Sequence, residues 1–405
     1  MTHQERVTGS RLLRQADLPL EVVILLVAGM ALLISGALLF PASAGALPYY
    51  ANGLYGILLV VFALQMMMLG KTPFGDVRRS RPLLLLGVLT ASVGIVTCFV
   101  PAPSPVPRVL LVFCLGPGGV LLLLQTIFAR DKLGTWVRHG GILRHLAVAS
   151  CAVYGLSALI AWLLWRESRL TTPWAASTVL ASGGAVLYLA AVLREVYRRY
   201  PEAERRPTGD VSLSTDQALL LLTGVFMLLL GGLLVPVSLG LLPFSGSAQL
   251  GLLMVIFSVQ MLASGSTPIG PFPRSGLVIA FGLLFAALGI VSCIVPMLLV
   301  PSLTLLVGVL NILGAVVSLV KMRAFRPRAP GEPSSPSHPV LAKLRAVQLT
   351  MNTLQILFGT SMFLPGVIPM LVIGVILAAN GCVLLYLLHV LTLLDAMQQA
   401  AAEAP

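Results

Sequence analysis

The chain has 405 residues, of which 58% are apolar and only 10% charged, with a mean hydropathy of +0.98. A typical soluble domain carries roughly a quarter charged residues, and without them no polar shell can be built around so much apolar surface. A soluble enzyme, a secreted module and a disordered chain are excluded. The net charge of +12, from 26 Lys and Arg against 14 Asp and Glu, would suggest nucleic acid in a soluble protein; here the charges sort by membrane side.

A spanning helix needs about 20 apolar residues. In chain order such runs lie at 19–41, 50–70, 82–101, 107–129, 142–165 and 174–195. A second set follows at 216–239, 248–265, 276–298, 299–321, 343–365 and 367–393. The pattern predicts an all-α polytopic membrane protein with twelve transmembrane helices. The first span could be mistaken for a signal peptide, because Ala42-Ser43-Ala44 resembles a cleavage site. Its apolar run is too long for that.

The basic residues order the loops. The tail 1–18 carries Arg6, Arg11 and Arg14, and the second loop carries Lys71, Arg78, Arg79 and Arg81. The fourth, sixth, eighth and tenth loops are basic as well. Of the 26 Lys and Arg residues, all but Arg108, Arg166 and Arg169 fall on this one side. The positive-inside rule then places both termini in the cytoplasm of an inner (plasma) membrane. The expected partners are the lipid bilayer and anionic lipid head groups at the cytoplasmic loops, not nucleic acid. Tyr49, Tyr50, Trp162, Trp165 and Trp174 at the outer boundary, and Trp136, Tyr197 and Tyr200 at the inner one, read as interfacial belts.

The second half of the sequence repeats the first at an offset of 195. Glu21 matches Asp216, Gly29 Gly224, Pro41 Pro236, Gln65 Gln260, Thr72 Thr267, Arg79 Arg274, Cys98 Cys293 and Gly119 Gly314. Near the end of each half the offset drifts to 198, as in Tyr188 and Tyr386. Six spans per half is an even number, so the two repeats run parallel. The expected organisation is a tail 1–18, a first repeat 19–195, a linker 196–215, a second repeat 216–393 and a tail 394–405. A Pro/Ser-rich loop at 327–339 has no means of building a core.

Within each repeat, Gly29 and Gly36 lead to Pro41, and Gly87 and Gly94 lead to Pro101. Glycines about two turns apart share a helix face and let backbones approach; the proline is expected to end the helix. Gly-rich, Pro-closed hairpins of this kind resemble the HdeD-like family of small bacterial membrane proteins. The resemblance implies two fused six-span units, a link to envelope or acid-stress physiology, and no transferable functional residue. The 6+6 arrangement with a basic second loop is also similar to the major facilitator superfamily. However, Gly75-Asp76-Val77-Arg78-Arg79-Ser80-Arg81 lacks the central spacing of that family's loop motif.

No Asp, Glu, Lys or Arg falls mid-span, which argues against a proton-coupled carrier. The five cysteines and five histidines show no metal or redox spacing, and no catalytic or nucleotide motif occurs. No catalytic, cofactor or metal residues are therefore expected, and the chain reads as non-enzymatic. Glu21 and Asp216 form a symmetric acidic pair at helix starts, where the dipole favours an acid. Gln65 and Gln260 need hydrogen-bond partners in lipid. Leu115-Gly116-Pro117-Gly118-Gly119 is expected to interrupt the fourth span, with Asn311 as the counterpart of Gly116. Broken helices point to transporter sites, so Gln65, Gly116, Pro117, Gly118, Gly119, Gln260 and Asn311 are the candidate path for a neutral or amphiphilic small-molecule solute, lying between the halves. Asn352, Gln355 and Asn380 read as helix contacts. The topology has a direct test: cysteines replacing Arg78 and Arg274 should react with an impermeant thiol reagent only from the cytoplasmic side. Labelling from outside would reverse the orientation.

Overall fold

A computed structural model describes residues 18–101, 104–129, 136, 140–166, 172–203, 213–324, 339–364 and 368–403. The N-terminal tail up to residue 17 and the Pro/Ser-rich loop at 327–338 lie outside the described residues, as does the middle of the linker. Among the described residues are twelve long α-helices. In the first half these are α1 (Leu20–Ser43), α2 (Ala51–Leu64), α3 (Arg81–Phe99), α4 (Val106–Phe128), α5 (Ile142–Arg166) and α6 (Pro173–Arg199). The second half has α7 (Thr215–Ser238), α8 (Gly246–Ser264), α9 (Gly276–Ile294), α10 (Val300–Ala324), α11 (Pro339–Phe363) and α12 (Met370–Glu403). Eleven are long and apolar enough to cross a membrane, α2 being counted together with the helical turn Gln65–Leu69 that continues it. The chain is an all-α, multi-pass membrane protein. Helix α11 falls short because Gln348, Asn352 and Gln355 recur along it.

Each half pairs its helices in the same way. Helix α1 packs on α6, α2 on α3 and α4 on α5; α7 packs on α12, α8 on α9 and α10 on α11. Glycines set the spacing. A Cβ on Gly36 would lie 2.4 Å from the Leu180 backbone nitrogen, and one on Gly231 would lie 2.3 Å from that of Ala378. Gly56 and Gly94 meet backbone to backbone, as do Gly251 and Gly289. In hydrocarbon there is no hydrophobic drive between helices, so close van der Waals contact through small residues has to supply it.

Pro41 does not end α1, nor does Pro236 end α7. Each helix continues for two residues past its proline. Termination falls to Gly45 (φ 73°) and Gly240 (φ 71°) in the left-handed region. The amides of Ala46 and Leu241 reach back to the carbonyls of Pro41 and Pro236, at 2.9 and 3.0 Å. This is a Schellman-type cap, whose geometry favours glycine. Pro101 and Pro296 do follow their helices, two residues after Phe99 and Ile294. Helix α4 runs unbroken through Gly116-Pro117-Gly118-Gly119, so the expected interruption is absent. Those glycines serve close approach instead. Gly118 faces the Pro73 carbonyl, and Gly119 lies against Tyr154 and Ser157 of α5.

The halves meet through α1 against α9, α3 against α7, and α2 and α8 at the centre. Hydrogen bonds cross this junction in matched pairs. At one end the Tyr50 amide donates to the Ile294 carbonyl (2.8 Å), and the Ser245 amide donates to the Phe99 carbonyl (2.9 Å). At the other end Arg79 donates to the Leu213 carbonyl (3.2 Å), and Arg274 to the Leu18 carbonyl (3.1 Å). Every member of one bond lies 195 residues from its counterpart in the other. Burial lowers the Arg79 guanidinium from its ordinary range. Between the two ends, Phe99 packs edge-on against Phe226 with ring centroids 5.6 Å apart, and both are fully buried.

The aromatic positions divide accordingly. Trp162, Trp165 and Trp174 are exposed at one end of α5 and α6, in keeping with a belt. Tyr50 is instead turned inward, with its hydroxyl donating to the Cys98 carbonyl at 3.1 Å.

The glycine account is testable. Gly36→Ala and Gly231→Ala should each destabilise the purified protein by about 1–3 kcal/mol through backbone overlap. Gly155→Ala and Gly184→Ala, where a Cβ meets nothing within 4 Å, should be neutral or slightly stabilising. Thermal or denaturant unfolding in micelles reads the difference.

Candidate functional site

The second loop and its counterpart fold as two-residue hairpins. Strand β1 (Lys71–Thr72) pairs antiparallel with β2 (Gly75–Asp76), and β3 (Ser266–Thr267) with β4 (Gly270–Pro271). The Thr hydroxyl closes each turn onto the Gly carbonyl, at 2.8 Å for Thr72 and 2.7 Å for Thr267. This accounts for the Thr-Pro-x-Gly sequence that recurs at 72–75 and 267–270. Each hairpin tucks against the fourth helix of its half, α4 or α10, because Gly118 and Gly314 leave room for the carbonyls of Pro73 and Pro268.

Behind the first hairpin lies a cavity of 220 Å³. It sits within the first six helices, not between the halves. Its body is apolar, with Leu25, Ala28 and Leu32 of α1, Leu58, Val61 and Phe62 of α2, and Ile160 and Val186 beyond them. Polar groups line it as well: Glu21, Gln65, Lys71, Asp76, Tyr154 and Ser157. Glu21 is held from two sides: Lys71 forms an ion pair with one carboxylate oxygen, and the Tyr197 hydroxyl donates to the other at 2.7 Å. Lys71 and Asp76 are cross-strand neighbours in the hairpin. Gln65 opens a π-helical turn, Gln65–Leu69, which Gly70 ends at φ 66°. Such turns are often found at functional sites. The equivalent stretch of the second half is regular α-helix through Gln260.

A wider cavity of 680 Å³ occupies the corresponding place in the second half. Thr267, Pro268, Gly270 and Gly314 line it, as Thr72, Pro73, Gly75 and Gly119 line the first. Asn352 and Gln355 stand 198 residues beyond Tyr154 and Ser157. The only charged group in its lining, among the described residues, is Lys321. Asn352 and Gln355 are both expected to make helix contacts, and Asn352 does so, donating to the Ser318 hydroxyl of α10 at 3.1 Å. The available signal was the i, i+4, i+7 spacing of Gln348, Asn352 and Gln355, which puts all three on one face.

The expected solute path does not assemble as one site. Gln65 and Gly119 line the first cavity. Gln260 donates to the Thr223 hydroxyl at 2.9 Å, and Asn311 to the Val307 carbonyl of its own helix at 2.9 Å. Gly116 faces Ala161, and Pro117 lies within the continuous α4. The acidic pair also divides. Glu21 stands behind a proline with no side-chain cap and forms the cluster with Lys71. Asp216 occupies the first turn of α7 behind a Ser214–Gln217 capping box, where the helix dipole accounts for it.

A third crevice, of 470 Å³, opens at the basic end of the junction. Arg194, Arg198 and Arg274 line it, with Leu18, Pro19 and Thr215. Arg198 is also paired with Glu195 at 2.7 Å. The comparisons with protein-family models, curated proteins and solved structures find no match to this chain.

Proposed function

We propose that this chain is a non-enzymatic integral protein of a bacterial inner membrane, built from two fused HdeD-like six-span units, with both termini cytoplasmic. Its role is in envelope or stress physiology, as a packed membrane body whose basic loops rest on anionic lipid heads. The observation that carries this reading is the junction between the halves. It is filled by Phe99, Phe226 and the central helices, and it is hydrogen-bonded at both ends. A carrier that rocks one parallel repeat against the other would have to break those bonds in every cycle. The matched contacts 195 residues apart support a duplication as the origin of the two units.

A second reading is a facilitator of a neutral or amphiphilic solute. The 220 Å³ cavity favours it. In that reading the path runs inside the first unit, not between the units.

The test is complementation. A strain lacking the protein should survive acid or envelope stress less well, and the wild-type chain should restore survival. A Val100→Cys, Ser245→Cys chain, cross-linked across the junction beside the bond from the Ser245 amide to the Phe99 carbonyl, should restore it equally. Restoration by the reduced but not by the oxidised protein would instead favour a rocking carrier.

A further inference from the structure

The two halves also meet through a pair of thiols. Cys98 is the last residue but one of α3, and Cys293 holds the same place in α9, 195 residues further on. Both are fully buried, and a glycine makes room for each sulfur. A Cβ on Gly56 would lie 2.3 Å from the Cys98 sulfur, and one on Gly251 would lie 2.6 Å from the Cys293 sulfur. Gly53 touches both residues. Its carbonyl accepts from the Cys98 thiol at 3.6 Å, and a Cβ there would lie 2.0 Å from the Cys293 carbonyl oxygen. Tyr50 spans the same gap, with its hydroxyl on the Cys98 carbonyl and its amide on the Ile294 carbonyl. The two thiols are within hydrogen-bonding reach of each other.

Packing alone does not call for sulfur here. Each thiol donates to a carbonyl at the start of the neighbouring helix, Cys98 to Gly53 at 3.6 Å and Cys293 to Ala248 at 3.4 Å, and a thiol is a weak donor. One residue away, the Ser292 hydroxyl makes the same kind of bond to the Ser247 carbonyl at 2.9 Å. A hydroxyl would therefore serve as well for hydrogen bonding. What the sulfurs add is their chemistry with each other. They lie at the end of the helices away from the hairpins and the basic loops. In the orientation proposed above, that end faces the outside of the inner membrane, an oxidising compartment where disulfides form and persist.

We propose that Cys98 and Cys293 form a disulfide that joins the two halves. The reaction is thiol–disulfide exchange with an external dithiol oxidant in its disulfide form. One cysteine sulfur attacks that disulfide to give a mixed disulfide, and the other cysteine sulfur displaces the oxidant. The two cysteines lose two protons and two electrons, and the oxidant leaves with them as a dithiol. Both sulfurs are buried in the closed junction, so the exchange takes place as the halves come together. To bond at about 2 Å, the sulfurs turn from the helix-start carbonyls towards each other. The inference rests on the proposed orientation, and it goes beyond the proposed function by making the junction covalent.

The experiment uses the full chain expressed in bacterial cells. The cells are lysed in denaturant with N-ethylmaleimide and no reductant, and the protein is digested for mass spectrometry. The Cys98 and Cys293 peptides should be recovered joined to each other and unmodified, while Cys114, Cys151 and Cys382 should carry the maleimide. A Cys98→Ser chain should leave Cys293 alkylated, as should wild-type cells grown with dithiothreitol. Maleimide on both Cys98 and Cys293 of the wild type overturns the proposal, as does the pairing of either with another cysteine. The wild-type result decides the matter even if Cys98→Ser fails to fold. Labelling of an Arg78→Cys chain with an impermeant reagent reads the orientation separately. Free thiols in a chain that labels from the cytoplasmic side overturn the disulfide and leave the orientation standing.

Discussion

A backbone carbonyl at the end of a membrane helix must find a donor, and in this protein several find one in the opposite half. The last carbonyls of α3 and α9 accept from the residues that precede α8 and α2. The carbonyls of Leu18 and Leu213, just before α1 and α7, accept from arginines of the opposite hairpin loops. A polar group left unpaired in a low-dielectric interior costs roughly 1–3 kcal/mol, so neither half is complete alone. The rest follows from this exchange. The helix pairs within each half can pack through glycines because their ends are fixed. The two hairpin cavities lie inside the halves, and the junction between the halves is open only as the crevice described at its basic end.

Much of the fold was legible in the sequence. Hydropathy marked each spanning run, and the offset of 195 anticipated which contacts would recur. Gly29, Gly36 and Gly94 sit where backbones meet, as their spacing implied. The misreadings share a physical cause. Pro41 and Pro117 look like breaks, because a proline removes an amide donor and crowds the carbonyl four residues back, yet both helices run on past them. Near a helix end that loss is small, and within α4 the surrounding glycines let the hairpin and α5 close in. The actual terminators, Gly45 and Gly240, are recognisable only once their positive φ is known. The cross-junction bonds were not legible, because a backbone carbonyl leaves no mark in the sequence. Arg79 and Arg274 mark topology in the sequence, and in the fold they also hold the halves together.

The site was legible only in fragments. Glu21 and Gln65 were singled out, but as members of symmetric pairs, and in both pairs the symmetry does not extend to the surroundings. Asp216 faces a capped helix start, whereas Glu21 faces Lys71, which the second half replaces with Ser266. Gln260 is satisfied by Thr223, whose counterpart in the first half is Ala28. A small residue at that position helps leave the space that the cavity occupies. The two halves thus keep the same helix pairing while their interiors diverge, which is the pattern expected when packing and ligand space are under different constraints.

The reciprocal bonds at the junction hold the two halves as one body. Amides at helix starts have no partner within their own helix and exchange readily with solvent unless something else holds them. Hydrogen exchange at single-residue resolution, on the full chain in nanodiscs, tests this at Tyr50 and Ser245. Both amides should be protected to the level of the buried helix interiors, and they should lose protection together in an Arg79→Ala, Arg274→Ala chain that loosens the junction. Exchange at open-loop rates in the wild type would contradict the account and leave two halves that merely sit side by side.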